Sequence, residues 1–423
     1  MVVEGQSGIG KSTFAVFLIR ALMDHEEDAS QRHILFSTIN DDCIYGWHNG
    51  ATSVYTYNDA PVTDANVVWI INQSQHGPFH MASCRKILIV STDDSHSKQF
   101  KASAGSFLRV VHMPLPTEAE ARAVAAAHGV SESEIGTRFV QVGPICRYLA
   151  ASDYNEVLVK LDAAVDQCKF QAAIYNSEVV QQGGDRLSNR IFYDNADADF
   201  KRIKPTLGTP YIADIYMKAW RLKQQDSFLQ FIASRNAGGM TVEYSKAFEE
   251  FGNAALRNGG HFRVRTLHHR SFVVPERLPH IRRVRIPPRA ELPCPNKPIF
   301  ATLNAGGGIS NIFLKPTHGN FGAADSVVIY PAESGGSIAD LYQLTTNLTH
   351  GMNSSELDSL ILRIEQYVYP SGVVDPNYTI RLFFVLPDYK FEHFRRQSYS
   401  NALSDAHRGH LEQHVLEIVT KSE

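Results

Sequence analysis

The residues with the clearest chemistry stand near the start of the chain. Gly5, Gly8, Gly10, Lys11 and Ser12 fit the spacing Gly-x-x-x-x-Gly-Lys-Ser, after the apolar pair Val2-Val3 and before a helix-forming run. Glycines at these places let successive backbone N–H groups curl around phosphate oxygens. Ile9 and Thr13 belong to the same turn, and the following helix N-terminus adds its partial positive charge. In this pattern Lys11 reaches the outer phosphates and Ser12 ligates Mg²⁺. The predicted ligand is therefore ATP or GTP with Mg²⁺.

Hydrolysis needs an acid at the end of a second strand. The best strand, Val67–Ile71, runs into Asn72-Gln73, amides where a metal-holding acid and a base are expected. The other strand, Ile87–Val90, is followed by Asp93-Asp94. Two readings stay open. Either nucleotide binds and is hydrolysed weakly, with Asn72 in the cofactor site, or the acid lies elsewhere in the domain.

A second set of residues has the order of a metal-dependent phosphodiesterase core. A helix carries Phe248-Glu249, Asp325 heads a strand at Ser326–Tyr330, and a neighbouring strand holds Leu341–Thr345. Cleavage of this kind needs carboxylates converging on Mg²⁺. The usual second element is acid-x-Lys, whereas here it is Gln343-x-Thr345. Between helix and strands lies a basic stretch, with Arg263, Arg265, Arg270, Arg277, Arg282, Arg283, Arg285 and Arg289 against the single acid Glu276. Such a stretch suits a phosphate backbone, so DNA or RNA is the expected partner through Arg263–Arg289.

These residues need elements to hold them. Residues 1–150 alternate apolar runs (Ile34–Phe36, Val54–Tyr57, Val67–Ile71, Ile87–Val90) with helical stretches, which predicts an α/β domain on a parallel sheet. Thr117 is placed to cap a helix beginning at Glu118. Residues 151–235 read as a helical lid or connector, with helical spacing over Val157–Val165 and Asp214–Ile232. Residues 236–423 form a third region. It opens with a helix over Val242–Leu256 that Asn258-Gly259-Gly260 stops. A Pro-rich linker, Pro287–Pro298, divides this region. Val2-Val3 alone is short for a central strand, which fits a truncated copy.

Composition narrows the class. Among 423 residues, 43% are hydrophobic and 20% charged, values of an ordinary folded chain too long for one typical core. The net charge of −3 says little about partners, so the distribution of charge matters more than its sum. The five cysteines form no Cys-x-x-Cys pair, which disfavours a disulfide scaffold and suits a reducing compartment. No secretory leader is visible and no apolar run approaches the roughly 18–20 residues a bilayer needs. The expected setting is intracellular, in cytoplasm or nucleus, with no membrane partner. Nothing in the sequence fixes the oligomeric state.

Taken in order, these motifs resemble the retrotransposon hot spot proteins of kinetoplastids and the related Crinkler-type proteins. The likeness runs from Gly5 to about Gln397. It rests on the glycine-rich loop, Val67–Gln73, Lys86–Asp94 and Met113-Pro114 before an acidic helix start. It continues with Arg138-Phe139, Gly143-Pro144 and Arg147-Tyr148, then Phe248-Glu249, Gly259-Gly260, Asp325, Gln343-x-Thr345 and Gln397. The resemblance implies a P-loop NTPase domain with a helical lid, followed by an α/β restriction-endonuclease-like domain. It implies that Arg147 senses nucleotide and that Glu249, Asp325, Gln343 and Thr345 form the nuclease-like site, Asp325 with a metal and His350 in support. Asn72 for the family's Asp, and Asn253 where the helix often has His, are departures.

Overall fold

Strands buried on both faces read as unbroken apolar runs, and Val67–Ile71 is such a strand. A computed structural model describes residues 1–24, 33–38, 43–48, 50–72, 84–91, 100–101, 108–168, 188–203, 205–234, 241–267, 281–289, 291–294, 312–316, 323–332, 335–349, 351–369, 371–375, 377–397 and 411–420. The backbone separates into two units, Met1–Ile212 and Ala213–Glu423.

The first unit begins β1 (Val2–Gly5), α1 (Lys11–Asp24), β2 (His33–Thr38), β3 (Cys43–His48), β4 (Ala51–Thr56), β5 (Val67–Asn72), β6 (Arg85–Ser91) and β7 (Val110–His112). Their seven-stranded sheet has the order β4-β3-β2-β5-β6-β1-β7. β2, β5, β6, β1 and β7 run parallel, while β3 and β4 form an antiparallel hairpin at one edge. The sheet is thus mixed, not wholly parallel, and the Val54–Tyr57 run belongs largely to β4. β1 is also longer than Val2-Val3. Glu4 and Gly5 pair on with it, β6 and β7 flank it, and all four residues are buried.

Alternation along β1 and β5 feeds two cores. Val2, Trp69 and Ile71 pack on one face with Leu35, Leu88 and Val90. Val3, Val68 and Ile70 pack on the other with Ile89 and with Ala15 and Ile19 of α1. From β1 the chain crosses over to β2 on one side, and from β6 it passes over to β7 on the other. The carboxyl end of β1 is therefore the switch point at which open α/β sheets bind ligands.

Helices α2 (Glu118–Ala127), α3 (Glu132–Val142), α4 (Cys146–Leu149), α5 (Tyr154–Gln167) and α6 (Ser188–Ile191) follow, with the short pair β8 (Phe192–Tyr193) and β9 (Thr206–Leu207). Thr117 caps α2 as its sequence predicts. Its hydroxyl accepts from Glu120 N at 3.3 Å, and the Glu120 carboxylate accepts from Thr117 N at 2.8 Å.

The unit boundary falls inside α7 (Pro210–Lys223). The predicted helical stretch Asp214–Ile232 is broken at Gln224, whose φ of −136° and ψ of 57° are not helical, so α8 (Gln225–Ala233) is a separate helix. The second unit continues with α9 (Thr241–Asn258), β10 (Gly260–Thr266), β11 (Ile281–Ile286), β12 (Glu291–Cys294), β13 (Ile312–Pro316), β14 (Ser326–Pro331) and β15 (Ser337–Leu344). It closes with α10 (Ser354–Val368), β16 (Thr379–Pro387), α11 (Asp388–Phe391) and β17 (Leu411–Ile418). The eight strands are ordered β11-β10-β17-β16-β15-β14-β13-β12. α10 buries Leu357, Leu360, Ile361 and Ile364 against Ala339, Leu341, Leu382 and Phe384.

The Pro-rich stretch Pro287–Pro298 is more than a linker. It contains β12, which among the described residues pairs only with β13 and forms an edge of the described sheet. Pro293 is tolerated there because an edge strand need not donate along its outer side.

Candidate functional site

The loop between β1 and α1 is built by the backbone. Gly8 and Gly10 have φ of +86° and +100°, in the region that favours glycine. A Cβ on Gly8 would also meet Arg147 Cβ and Ile145 Cγ2 at 3.1 Å. Ile9 is buried and anchors the loop's centre, while Ser12 and Thr13 are exposed on the first turn of α1. That turn carries no acid, so the positive end of the helix is left for an outside anion.

Lys11 is only 4% exposed. Its Nζ donates to Gly5 O at 2.9 Å and to Gln6 O at 2.7 Å, which holds the ammonium over the loop. The side chain of Gln6 accepts from Asp194 N at 3.0 Å and ties the loop to the segment after β8. Arg147, exposed on α4, donates from its backbone N to Gly8 O at 3.1 Å and from Nη1 to Ser7 Oγ at 3.4 Å. The structure thus gathers Gly5, Gly8, Ile9, Gly10, Lys11, Ser12, Thr13 and Arg147 around one loop.

Glu4, just before the loop, is buried and paired with Lys101 and with His112, whose Nε2 is 3.6 Å from Oε2. Burial lowers the His112 pKa, and Glu4 partly offsets that shift.

Asn72 closes β5, two strands away from β1, with β6 between them. It is 6% exposed, and its Oδ1 has no hydrogen-bond partner among the described residues. Asn72 Oδ1 is a buried acceptor of the kind that calls for an explanation. Gln73, Asp93, Asp94 and His350 lie outside the described residues.

The second candidate site is built from side chains. Asp325, buried at the head of β14, accepts at Oδ2 from Gln343 Nε2 at 2.9 Å and from Leu344 N at 2.6 Å. α9 comes close because Gly252 leaves no Cβ to collide with Leu344. It brings Lys246, Glu249 and Glu250. Lys246 Nζ lies 2.8 Å from Glu249 Oε2 and 3.9 Å from Asp214 Oδ1 on α7. Glu250 is held between Arg221 Nε and Lys315 Nζ, each at 2.9 Å. Thr345 is buried just past β15 and accepts from Asn347 N at 3.1 Å.

Electrostatics follow from this crowding. Burial, then repulsion from Glu249, lifts the Asp325 carboxyl well above the usual range. The same two causes push Asp214 up to about 7. Burial alone would lower Lys246 and Lys315. Glu249 with Asp214 raises the first, and Glu250 raises the second, above the ordinary lysine value.

Sequence reasoning found Glu249, Asp325, Gln343 and Thr345 but missed Asp214, Lys246, Glu250, Lys315 and Arg221. Lys246 was within reach, three residues before Glu249 on one helix face. The other four carry no local signal. Asn253, with both amide atoms buried and unpartnered among the described residues, lies one turn beyond Glu249. Among the described residues no three His, Cys, Asp or Glu side chains gather as a metal-holding group.

One comparison bears on the first unit. The RNA helicase family model matches residues 1–93, which span the loop, α1, β5 and β6. That stretch therefore reads as a helicase-like, nucleotide-binding P-loop domain within a mixed α/β chain. The match covers less than a quarter of the 423 residues. Curated proteins gave no match. Among the described residues, no helix is long and apolar enough to cross a membrane.

Proposed function

We propose that the chain is an ATP- or GTP-binding P-loop protein of retrotransposon hot spot and Crinkler type. Its nucleotide state is coupled to a nuclease-like second module that binds DNA or RNA. The carrying observation is Lys11, buried over a loop of left-handed glycines at the head of a helix whose first turn carries no acid. Phosphate oxygens would take the place of the Gly5 and Gln6 carbonyls as its partners. Arg147, already at Ser7 and Gly8, would report on the bound phosphates from the end of the NTPase module. The nucleotide-binding module lies within Met1–Ile212 and the nuclease-like module within Ala213–Glu423, and the setting is intracellular.

Mg²⁺ arriving with the nucleotide would meet the Ser12 hydroxyl and the unpartnered Asn72 carbonyl, both neutral oxygens that the ion accepts. It would neutralise phosphate charge there. Asn72 cannot hold a metal-bound water as an acid would, so hydrolysis is weak.

For the second module, one observation favours binding without cleavage. Its carboxylates are already met by Lys246, Lys315, Arg221, Gln343 and the Leu344 N–H. The donor set does not fit Mg²⁺, and Asp325 drives no cleavage.

Two assays on the full-length chain test this reading. Titration of ATP and GTP with Mg²⁺ should show binding with slow turnover, both lost in Lys11→Ala. Nicking of plasmid and oligonucleotide should be no greater in the native chain than in Asp325→Ala. Retained binding in Lys11→Ala, or nicking that depends on Asp325, overturns the corresponding half.

A further inference from the structure

We infer that β10, β11 and the cavity beside them bind single-stranded nucleic acid, with phosphates along β11 and one unstacked base in the cavity. The inference rests on the proposal that the second module binds nucleic acid, and it names the surface and the strandedness.

The basic stretch does not act as one patch. Arg263 is tied to Glu417 at 2.9 Å and to Glu392 at 2.6 Å. Arg265 is buried and donates to the carbonyls of Phe391 and Phe394, each at 2.9 Å. These two arginines hold the fold. Arg282, Arg283 and Arg285 are exposed and have no hydrogen-bond or ion-pair partner among the described residues. All three sit on β11, which carries no acid and is an edge strand of the described sheet.

The register puts Arg283 and Arg285 on one side and Arg282, paired with Val264, on the other. Arg283 pairs with Arg263, and Arg285 pairs with His261. Directly paired residues of antiparallel strands share a face. At this edge of the sheet opens a cavity of about 470 Å³ whose lining includes Phe251, Phe262, His261, Arg263, Arg283 and Glu417; Phe262, paired with Val284, lies on the face of Arg282.

Unpaired arginines beside an aromatic-lined hollow are what an unstacked base with its flanking phosphates requires. A paired base has no free face to offer such a hollow. Arginines on an edge strand also keep sheets from pairing edge to edge. That role needs neither a cavity nor a single sign of charge.

The test is fluorescence anisotropy on the full-length chain without nucleotide, using ribo- and deoxyribo-homopolymers and a duplex over a series of salt concentrations. Single strands should bind at least about tenfold tighter than duplex. In the triple variant Arg282→Ser, Arg283→Ser, Arg285→Ser, affinity should fall at least about tenfold. The log–log salt slope should become shallower by about 2. The triple Arg→Lys variant should keep that slope. Phe262→Ala should weaken binding about tenfold with the slope unchanged, the signature of lost stacking.

The ratio of ribo- to deoxyribo-affinity distinguishes the two sources of the strand. Unchanged affinity and slope in the serine variant would remove the ribbon while leaving the nucleic-acid reading intact. Duplex bound as well as single strand overturns the strandedness, and no binding by the native chain removes both.

Discussion

The loop at the end of β1 and the carboxylate cluster of the second unit satisfy their charges in opposite ways. The loop offers backbone donors, one lysine and a helix terminus, and supplies no anion of its own in that first turn. On the proposed reading, a nucleotide completes it. The cluster answers Glu249 with Lys246, and answers Glu250 with Arg221 and Lys315. It is nearly complete by itself. One site is organised for binding, whereas the other spends its charge on holding α7, α9 and β13 together.

The largest effect should come from breaking the self-sufficient site. Glu250→Ala leaves Arg221 and Lys315 facing each other without the carboxylate that pairs them, at exposures of 17% and 18%. Stranded buried charges cost about 3–5 kcal/mol. Urea denaturation should show that loss, and a change under about 1 kcal/mol would mean water already screens the pair. Lys11→Ala addresses the other side of the comparison. It should weaken ATP at least about 100-fold, or ~2.7 kcal/mol, with the denaturation midpoint little moved. Isothermal titration reads the first and urea the second. A stability loss as large as that of Glu250→Ala would make Lys11 structural.

Asp214 sharpens the contrast through pH. Its folded-state pKa, pushed up to about 7 mainly by burial and then by Glu249, exceeds the unfolded value near 3.8. The folded chain therefore holds a proton that the unfolded chain releases. Stability from this group is full below about pH 4, declines as pH rises and is lost above about 7. Asp325 is shifted in the same direction. Asp214→Asn should flatten the slope of stability between pH 4 and 7, an effect of ~2 kcal/mol. The same denaturation series in both proteins measures it, and parallel curves would put the titration elsewhere.

The two sites were also unequally legible in the sequence. The loop is made by contiguous residues and by backbone geometry that glycine spacing reports directly. Its partner Arg147 has no such signal in composition or spacing and entered only through the family resemblance. The cluster draws on α7, α9, β13 and β14, so Asp214 and Lys315 stand far from Asp325 in the chain. No local pattern marks them. The β3–β4 hairpin had a signal in Asn49-Gly50, a favoured two-residue turn, which a search for apolar runs passes over. β12 was hidden by Pro293 and the prolines of the surrounding stretch, because a strand needs few ladder donors only at an edge.

The smallest effect separates a loop that binds from one that also turns over. Asn72 sits buried at the end of β5 with Oδ1 unpartnered among the described residues. Restoring an acid with Asn72→Asp places a charge there that is costly unless an ion meets it. Stability without Mg²⁺ should fall and recover when Mg²⁺ and ATP are added together. Turnover should rise about tenfold, or ~1.4 kcal/mol in barrier, a modest gain because no base is supplied at Gln73. Phosphate release and thermal melting with and without Mg²⁺-ATP measure both. A rise in turnover without metal-dependent recovery would place the new carboxylate away from the ion. Recovery without a rise would leave Asn72 a metal-side residue and put the rate limit in positioning water.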